Sequence, residues 1–597
     1  MPLANPPGYS PCPPKTPAAA LPRGFASSPS EPISGCWQRD RKPCWHWSEL
    51  NEEFDMFTRR HMLQSIGMAG PLLAAPAILR GAAPDAPIAT CAQGKLRGAA
   101  VDGILEFRGV PYGGAVSGPD RRFKAPTAPV PWIGVRDATR LGAPSIQAPR
   151  GDFGNNEPAP AEDCLFLNIW TPALDGKKRP VMVYQHGGGF VIGSGGAPWQ
   201  DGGTLARKHD VVVVQSNHRL GLMGYLYLGQ LLGPEYAGNQ GLQDIVAALA
   251  WVNANIAEFG GDPGNVMIFG ESGGGGKTTA LYAMPSAAPY FHKASIESAI
   301  GPGGKTPDDA TAMTREVMRR MGITDPRALL TAPAAQILKA QLGNAPYLSP
   351  GTVPPPGTPA GAQPEIMVWP FIDGTILPEE PFSIGAPAIS ANKPLIVGSC
   401  KDETVFFFQG DKSAFNLDEA GLRSRLSNLL GERTSAWIDA FRKARPKATP
   451  SQLYIAITTA KPWRANAVKL SERKAAQKAA PIYSYILDYR SPDFVPGTTY
   501  PEGSPHASDI AMKFDTAVRF GPKRPDRLKT ASNMGEMWAN FARNSIPSAK
   551  GQVRWKPYTL KRRETMIIDA QCRMVNDPEQ AERLFFANEP NAEREQF

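Results

Sequence analysis

Five short apolar runs stand out along the chain: Val181 to Tyr184, Val211 to Val214, Val266 to Phe269, Leu395 to Val397 and Tyr483 to Leu487. They are continuous rather than alternating, the pattern of strands covered on both faces in a parallel sheet. Between the second and third runs, Leu242, Ile245, Leu249, Val252, Ile256 and Phe259 recur every three or four residues. That spacing lays one apolar stripe along a helix, and Gly260-Gly261 marks its end. Strand, loop and helix keep alternating from Val101 to about Arg583. The expected fold is therefore α/β, a doubly wound, mostly parallel sheet flanked by helices. One stretch breaks the alternation. Residues 344 to 364 carry Pro350, Pro354, Pro355, Pro356 and Pro359, which exclude both helix and central strand. A loop of this length either caps an active site or is a plain surface insertion.

The first 83 residues read differently. Residues 1 to 55 are Pro-rich at the outset (Pro2, Pro6, Pro7, Pro11, Pro13, Pro14, Pro17) and show no periodic apolar face. They read as a disordered leader. Met56 opens a new passage, Thr58-Arg59-Arg60-His61-Met62-Leu63, followed by apolar residues from Ile66 to Leu79 and small ones at Gly81-Ala82-Ala83. Residues 56 to 83 have the form of a twin-arginine signal peptide. Pro71 and Pro76 interrupt the run, which falls short of the roughly 20 apolar residues of a spanning helix. The expectation is that translation starts at Met56, that residues 1 to 55 are an artefact of start assignment, and that the twin-arginine machinery exports the chain. The protein would then work in the periplasm or outside the cell, with residues 84 to 597 as one catalytic domain.

Composition adds little beyond this. The chain is 42% hydrophobic and 20% charged, as a globular protein is, and its net charge of +9 includes no long Lys/Arg block. Scattered surface charge, not a nucleic-acid footprint, accounts for it.

Candidate chemistry begins where the Val266 run enters Gly270-Glu271-Ser272-Gly273-Gly274. A strand running into G-x-S-x-G and then a helix presents a serine hydroxyl on a tight turn, clear of neighbouring side chains. The rival is a phosphate-binding loop over Gly273-Gly274-Gly275-Gly276-Lys277-Thr278. Its spacing demands glycine at 271, where Glu271 would set an anion beside the phosphates. A second glycine run, His186-Gly187-Gly188-Gly189-Phe190, follows the first apolar run. Backbone N–H groups approach a tetrahedral oxyanion only where side chains are absent, so Gly188, Gly189 and Gly273 are the candidate donors.

A serine of this kind needs a base and an acid, in the chain order serine, acid, histidine. Only His292 and His506 follow Ser272. His292 comes too soon, where the elbow helix and next strand must fit, whereas His506 sits in a loop after the Tyr483 run. The acid should end an intervening strand, and Leu395-Ile396-Val397-Gly398-Ser399-Cys400-Lys401-Asp402-Glu403 offers two neighbouring carboxylates. Local chemistry does not choose between Asp402 and Glu403. Activity should fall at low pH as His506 protonates, with an apparent pKa of about 6 to 7.

Together these motifs resemble the type-B carboxylesterases, a family that includes cholinesterases and bacterial para-nitrobenzyl esterases. The likeness extends through Phe107 to Tyr112, Glu162 to Asn168, Asn217 to Gly221, Asn239 to Asp244, Phe259 to Pro263, Trp538 to Ala542 and Trp555. It implies the α/β-hydrolase fold and hydrolysis of a small-molecule carboxylic ester through an acyl-enzyme, without metal or cofactor. It also implies that Glu403 is the acid. Carbamates and side-chain esters of natural products remain alternative substrates, and a catalytically dead binding protein is the rival of another class. Ser272, His506 and the glycines argue against that rival. Three positions depart from the family pattern: Gly273 stands where alanine is usual, Thr404 where glycine is usual, and Ser145 where Cys164 would find a disulfide partner. Cys164 is therefore expected to be a free thiol. Phe190, Trp199 and Phe406 to Phe408 are candidates for lining an apolar pocket.

Overall fold

The computed structural model describes residues 86–148, 157–301, 303–344 and 362–588. All of them fall within one of the chain's two units, Ile78–Phe597. The leader and signal expected over residues 1 to 83, and most of the Pro-rich stretch at 344 to 364, lie outside the described residues.

Eleven strands form the main sheet. In chain order they are β1 (Ala99–Val101), β2 (Ile104–Pro111), β3 (Phe166–Thr171), β4 (Arg179–Gln185), β5 (Val212–Ser216), β6 (Gly261–Glu271), β7 (Lys293–Glu297), β8 (Leu395–Cys400), β9 (Ile482–Leu487), β10 (Glu564–Ile568) and β11 (Arg573–Asn576). They lie side by side in the order β11-β10-β9-β8-β7-β6-β4-β5-β3-β2-β1. The block from β10 to β5 is parallel, and the strands beyond it are antiparallel. All five apolar runs fall in that block, and every residue of β4, β5, β7, β8 and β9 is buried. The antiparallel edge strands carry mixed residues and give no such signal.

Both faces of the block are covered, and the pleat divides its side chains between them. Val181, Val183, Val266 and Ile268 enter one core, with Leu242, Ile245, Leu249 and Val252 of helix α1 (Gln240–Asn255). Met182, Tyr184, Met267 and Phe269 enter the other, with Met534, Met537, Trp538 and Phe541 of a long helix, Pro525–Asn544. The predicted stripe is continued by a 3₁₀ turn, Ile256–Phe259, and Gly260 stops it in the left-handed conformation. A third core belongs to the helical region after β8, where Val405, Phe408, Leu422, Trp437 and Tyr454 pack together.

Three shorter helices matter for the site: α2 (Gly273–Ala283) follows β6, α3 (Thr404–Phe408) follows β8, and α4 (Ser508–Lys513) lies between β9 and the long helix, hereafter α5. Because β6, β8 and β9 run parallel, their C-terminal ends emerge at one edge, where open α/β sheets place their ligands. Cys164 is a buried free thiol, as are Cys91, Cys400 and Cys572. The Ser145 hydroxyl accepts the backbone N–H of Leu220 at 3.0 Å.

Candidate active site

Ser272 caps the junction of β6 and α2 at φ 59°, ψ −125°, a left-handed conformation that residues with a Cβ rarely adopt. Its N–H donates to the Glu297 carbonyl at the end of β7, at 3.0 Å, which fixes the turn from the neighbouring strand. Every residue of α2 is buried, whereas Ser272 is only half-buried. The glycine loop lies against this turn. Gly188 has φ +90°, and a Cβ there would meet the Ile192 carbonyl oxygen at 2.3 Å. A Cβ on Gly273 would fall 2.0 Å from the Gly189 carbonyl oxygen. Glycine at 273, where the family resemblance leads one to expect alanine, thus lets the two segments touch. The N–H of Gly273 opens a helix and so has no partner within it.

The lysine that gave the glycine run its likeness to a phosphate loop has another task. Lys277 is buried, and its ammonium donates to the His186 carbonyl at 3.0 Å, holding the base of the glycine loop.

The structure separates the two neighbouring acids. Glu403 is wholly buried: Oε1 accepts the Ser298 hydroxyl and the Cys400 N–H, both at 2.7 Å, while Oε2 meets His506 Nδ1 at 2.5 Å. The His506 N–H also donates to the Glu403 carbonyl, at 3.2 Å. Asp402 turns toward the loop that carries the histidine, where its Oδ2 accepts the Ser504 N–H at 3.1 Å. With Nδ1 on a carboxylate, the second ring nitrogen is free to act as a base. That nitrogen faces the elbow, 3.3 Å from Oε1 of Glu271, the residue before Ser272. His292 lies elsewhere, its Nδ1 accepting the Val266 N–H at 3.1 Å.

A family model described as the carboxylesterase family matches residues 85–587. The chain belongs to that family. Over 516 residues it is 33% identical to a para-nitrobenzyl esterase of Bacillus subtilis, an alignment covering 83% of this chain and 97% of that one. It is 31% identical to a phenmedipham hydrolase of Pseudarthrobacter oxydans, over 81% of this chain and 95% of the relative. The crystal structure of carboxylesterase EST55 of Geobacillus stearothermophilus, at 34% identity, matches with a TM-score of 0.71 over 83% of this chain and 99% of that one. The protein is a carboxylic ester hydrolase of the α/β-hydrolase fold.

In this carboxylesterase the aromatic candidates divide. Phe190 is core, packed on Tyr225 and Trp369, and Phe408 packs on Tyr454 in the third core; Trp199 lies against the core on the α5 side. Phe406 and Phe407 do approach the site, with ring centroids 5.9 and 5.0 Å from that of His506. Trp463, which the sequence did not single out, completes the wall: it stacks on Phe407 at 5.4 Å and lies 5.6 Å from His506. It sits in a π-helical turn, Ala460–Arg464, a local widening that no apolar periodicity announces. Beside these rings is a cavity of about 20 Å³ lined by Ile300, Thr404, Phe407, Phe408, Thr458, Pro462 and Trp463. Thr404 is anchored here, its hydroxyl 2.8 Å from that of Thr458.

Charges around the imidazole bear on the pH at which it protonates. Burial alone pushes the His506 pKa down, but the carboxylates of Glu271 and Glu403 more than reverse this and lift it to about 9. Burial lifts Glu271 to about 8, against the pull of His506 and Lys513. Together the pair binds a proton more tightly than a solvated histidine does. Were His506 the base, this would place the acid limb of activity above the pH of about 6 to 7 of a solvated histidine, as a pH profile of kcat/KM would show. In the sequence Glu271 stands out only as an obstacle to phosphate, and no motif marks Ser298. Its one local signature is φ 45° directly after β7.

Proposed function

We propose that Ser272 is the nucleophile, His506 the general base and Glu403 the acid that orients it. The N–H groups of Gly188, Gly189 and Gly273 form the oxyanion hole. One observation carries this reading: a buried Glu403 carboxylate on His506 Nδ1 at 2.5 Å, with the other ring nitrogen turned to the elbow that bears Ser272. Ser272 Oγ attacks the ester carbonyl as His506 Nε2 takes its proton, and the three N–H groups hold the oxyanion. Collapse expels the alcohol, which receives that proton, and leaves an acyl-Ser272. Water, deprotonated by the same imidazole, then releases the acid. The wall of Phe406, Phe407 and Trp463 favours a small-molecule ester with an apolar group on that side. The same site would serve a carbamate or a natural-product side-chain ester. Rapid quenching of the enzyme with para-nitrophenyl butyrate should leave a butyryl group on the peptide containing Ser272. An acyl adduct on any other residue overturns the assignment.

We propose further that the twin-arginine machinery exports the enzyme, from translation at Met56. Support comes from Arg59-Arg60 ahead of an interrupted apolar run. Replacing both arginines with lysine should hold the precursor in the cytoplasm, as fractionation would report. Unchanged export would sink the idea.

A further inference from the structure

Under the histidine loop lies a charged group that acyl transfer does not use. Lys513, at the end of α4, is wholly buried, and its ammonium pairs with Glu297 at the end of β7 and, at 3.3 Å, with Asp509 one turn earlier on its own helix. Oε1 of Glu297 in turn accepts Ser295 Oγ at 2.7 Å and Trp538 Nε1 of α5 at 2.6 Å, while the Tyr485 hydroxyl of β9 reaches Asp509 at 3.4 Å. The Tyr184 ring of β4 closes the fourth side, 5.6 Å from the ammonium. Burying an ion pair costs the desolvation of both charges, so stability is weak grounds for its place in a packed layer. The charge itself calls for an explanation, and the neighbours supply one. Four carboxylates, those of Glu271, Glu297, Glu403 and Asp509, gather around His506 and the layer beneath it. Lys513 is the cation built into that layer.

We propose that Lys513 is a positioning residue for ester hydrolysis. Its fixed charge offsets the carboxylates packed around His506 and sets the pH at which that imidazole is free to take the Ser272 proton. The proposal rests on His506 being the base. The groups involved come from every element around them. His506 pairs with Glu403 from the turn between β8 and α3 and with Glu271 from the elbow, and feels the charge of Asp509 from α4, while Lys513 pairs with Glu297 from β7 and with Asp509, and feels the charge of Glu271. The Cys400 thiol and the Tyr184 and Tyr485 phenols are pushed far upward by burial and stay neutral. Burial works against a charged Lys513, but Asp509 and Glu297 outweigh it and hold the proton on.

Removing a positive charge tightens every proton bound in the cluster, whichever of Glu271 or His506 carries it, and removing a negative charge loosens them all. Lys513→Met should therefore move the acid limb of kcat/KM up by about one pH unit, and Glu297→Gln should move it down by a similar amount. The double variant Lys513→Met/Glu297→Gln, which deletes one charge of each sign, should return the limb close to the wild-type position. Damage to packing would lower the rate in all three without moving the limb in opposite directions. If Lys513→Met does not fold, Glu297→Gln and Asp509→Asn carry the test, and both should lower the limb in proteins whose circular dichroism is native. A limb that stays put in those two variants, or that moves the same way in Lys513→Met and Glu297→Gln, overturns the proposal. Failure of the base assignment would look different, because His506→Ala would then keep its activity.

Discussion

Ser272→Ala and His506→Ala are each expected to cut turnover of a simple aryl ester by up to about a million-fold, and the double variant should be scarcely slower than either. The serine hydroxyl is a weak nucleophile until a base takes its proton, and the histidine has no proton to take once the hydroxyl is gone, so the two fail as a unit. What survives in each variant is binding and the oxyanion donors. Fold stability should change little at position 272: serine and alanine both carry a Cβ, so the cost of φ 59° is present in each. Thermal melting beside steady-state kinetics separates loss of chemistry from loss of fold. If Ser272→Ala keeps its rate on para-nitrophenyl acetate, the nucleophile lies elsewhere; if the two losses multiply in the double variant, the residues do not act on one step.

The second large effect concerns the acid. Glu403→Gln should lower kcat by about 10⁴-fold, while Asp402→Asn should stay within about threefold of the wild type. The contrast follows from who donates to whom. Both Glu403 oxygens are acceptors, Oε1 for Ser298 Oγ and the Cys400 N–H, Oε2 for His506 Nδ1–H. A glutamine must place its NH₂ at one of these positions. Against His506 it would force Nδ1 to accept, moving the ring proton to the nitrogen that must receive the serine's. Against the Cys400 N–H it would set donor against donor. Asparagine at 402 can still accept the Ser504 N–H, and burial already disfavours the charge there. Steady-state kinetics on the two variants would decide it, and greater damage from Asp402→Asn would move the acid by one residue.

The sequence predicted the parallel block and the serine elbow because both are local in origin. A strand buried on both faces must be apolar throughout, as Val181 to Tyr184 and Val266 to Phe269 are. A serine raised on a turn needs small neighbours, as Gly270, Gly273 and Gly274 are. The order of serine, acid and histidine then leaves His506 as the candidate base, since the alternative falls within reach of the elbow helix. Elements whose residues are mixed, such as the antiparallel edge strands and the π-helical turn bearing Trp463, left no periodic trace.

What the chain alone determined, then, were the fold class, the elbow at Ser272, the glycine loop and the shortlist of partners, all set by the residue types that a given backbone shape tolerates. Only tertiary structure shows which of Asp402 and Glu403 lies against His506, because adjacent side chains at a strand end point apart and only the surrounding donors, Ser298, Cys400, Ser504 and His506, say which faces the imidazole. It alone brought Glu271 to the other ring nitrogen and Lys513 to Glu297. Proton affinity at His506 is a sum over charges brought close by three-dimensional packing, from residues 271, 403 and 509, and distance along the chain carries no record of that sum.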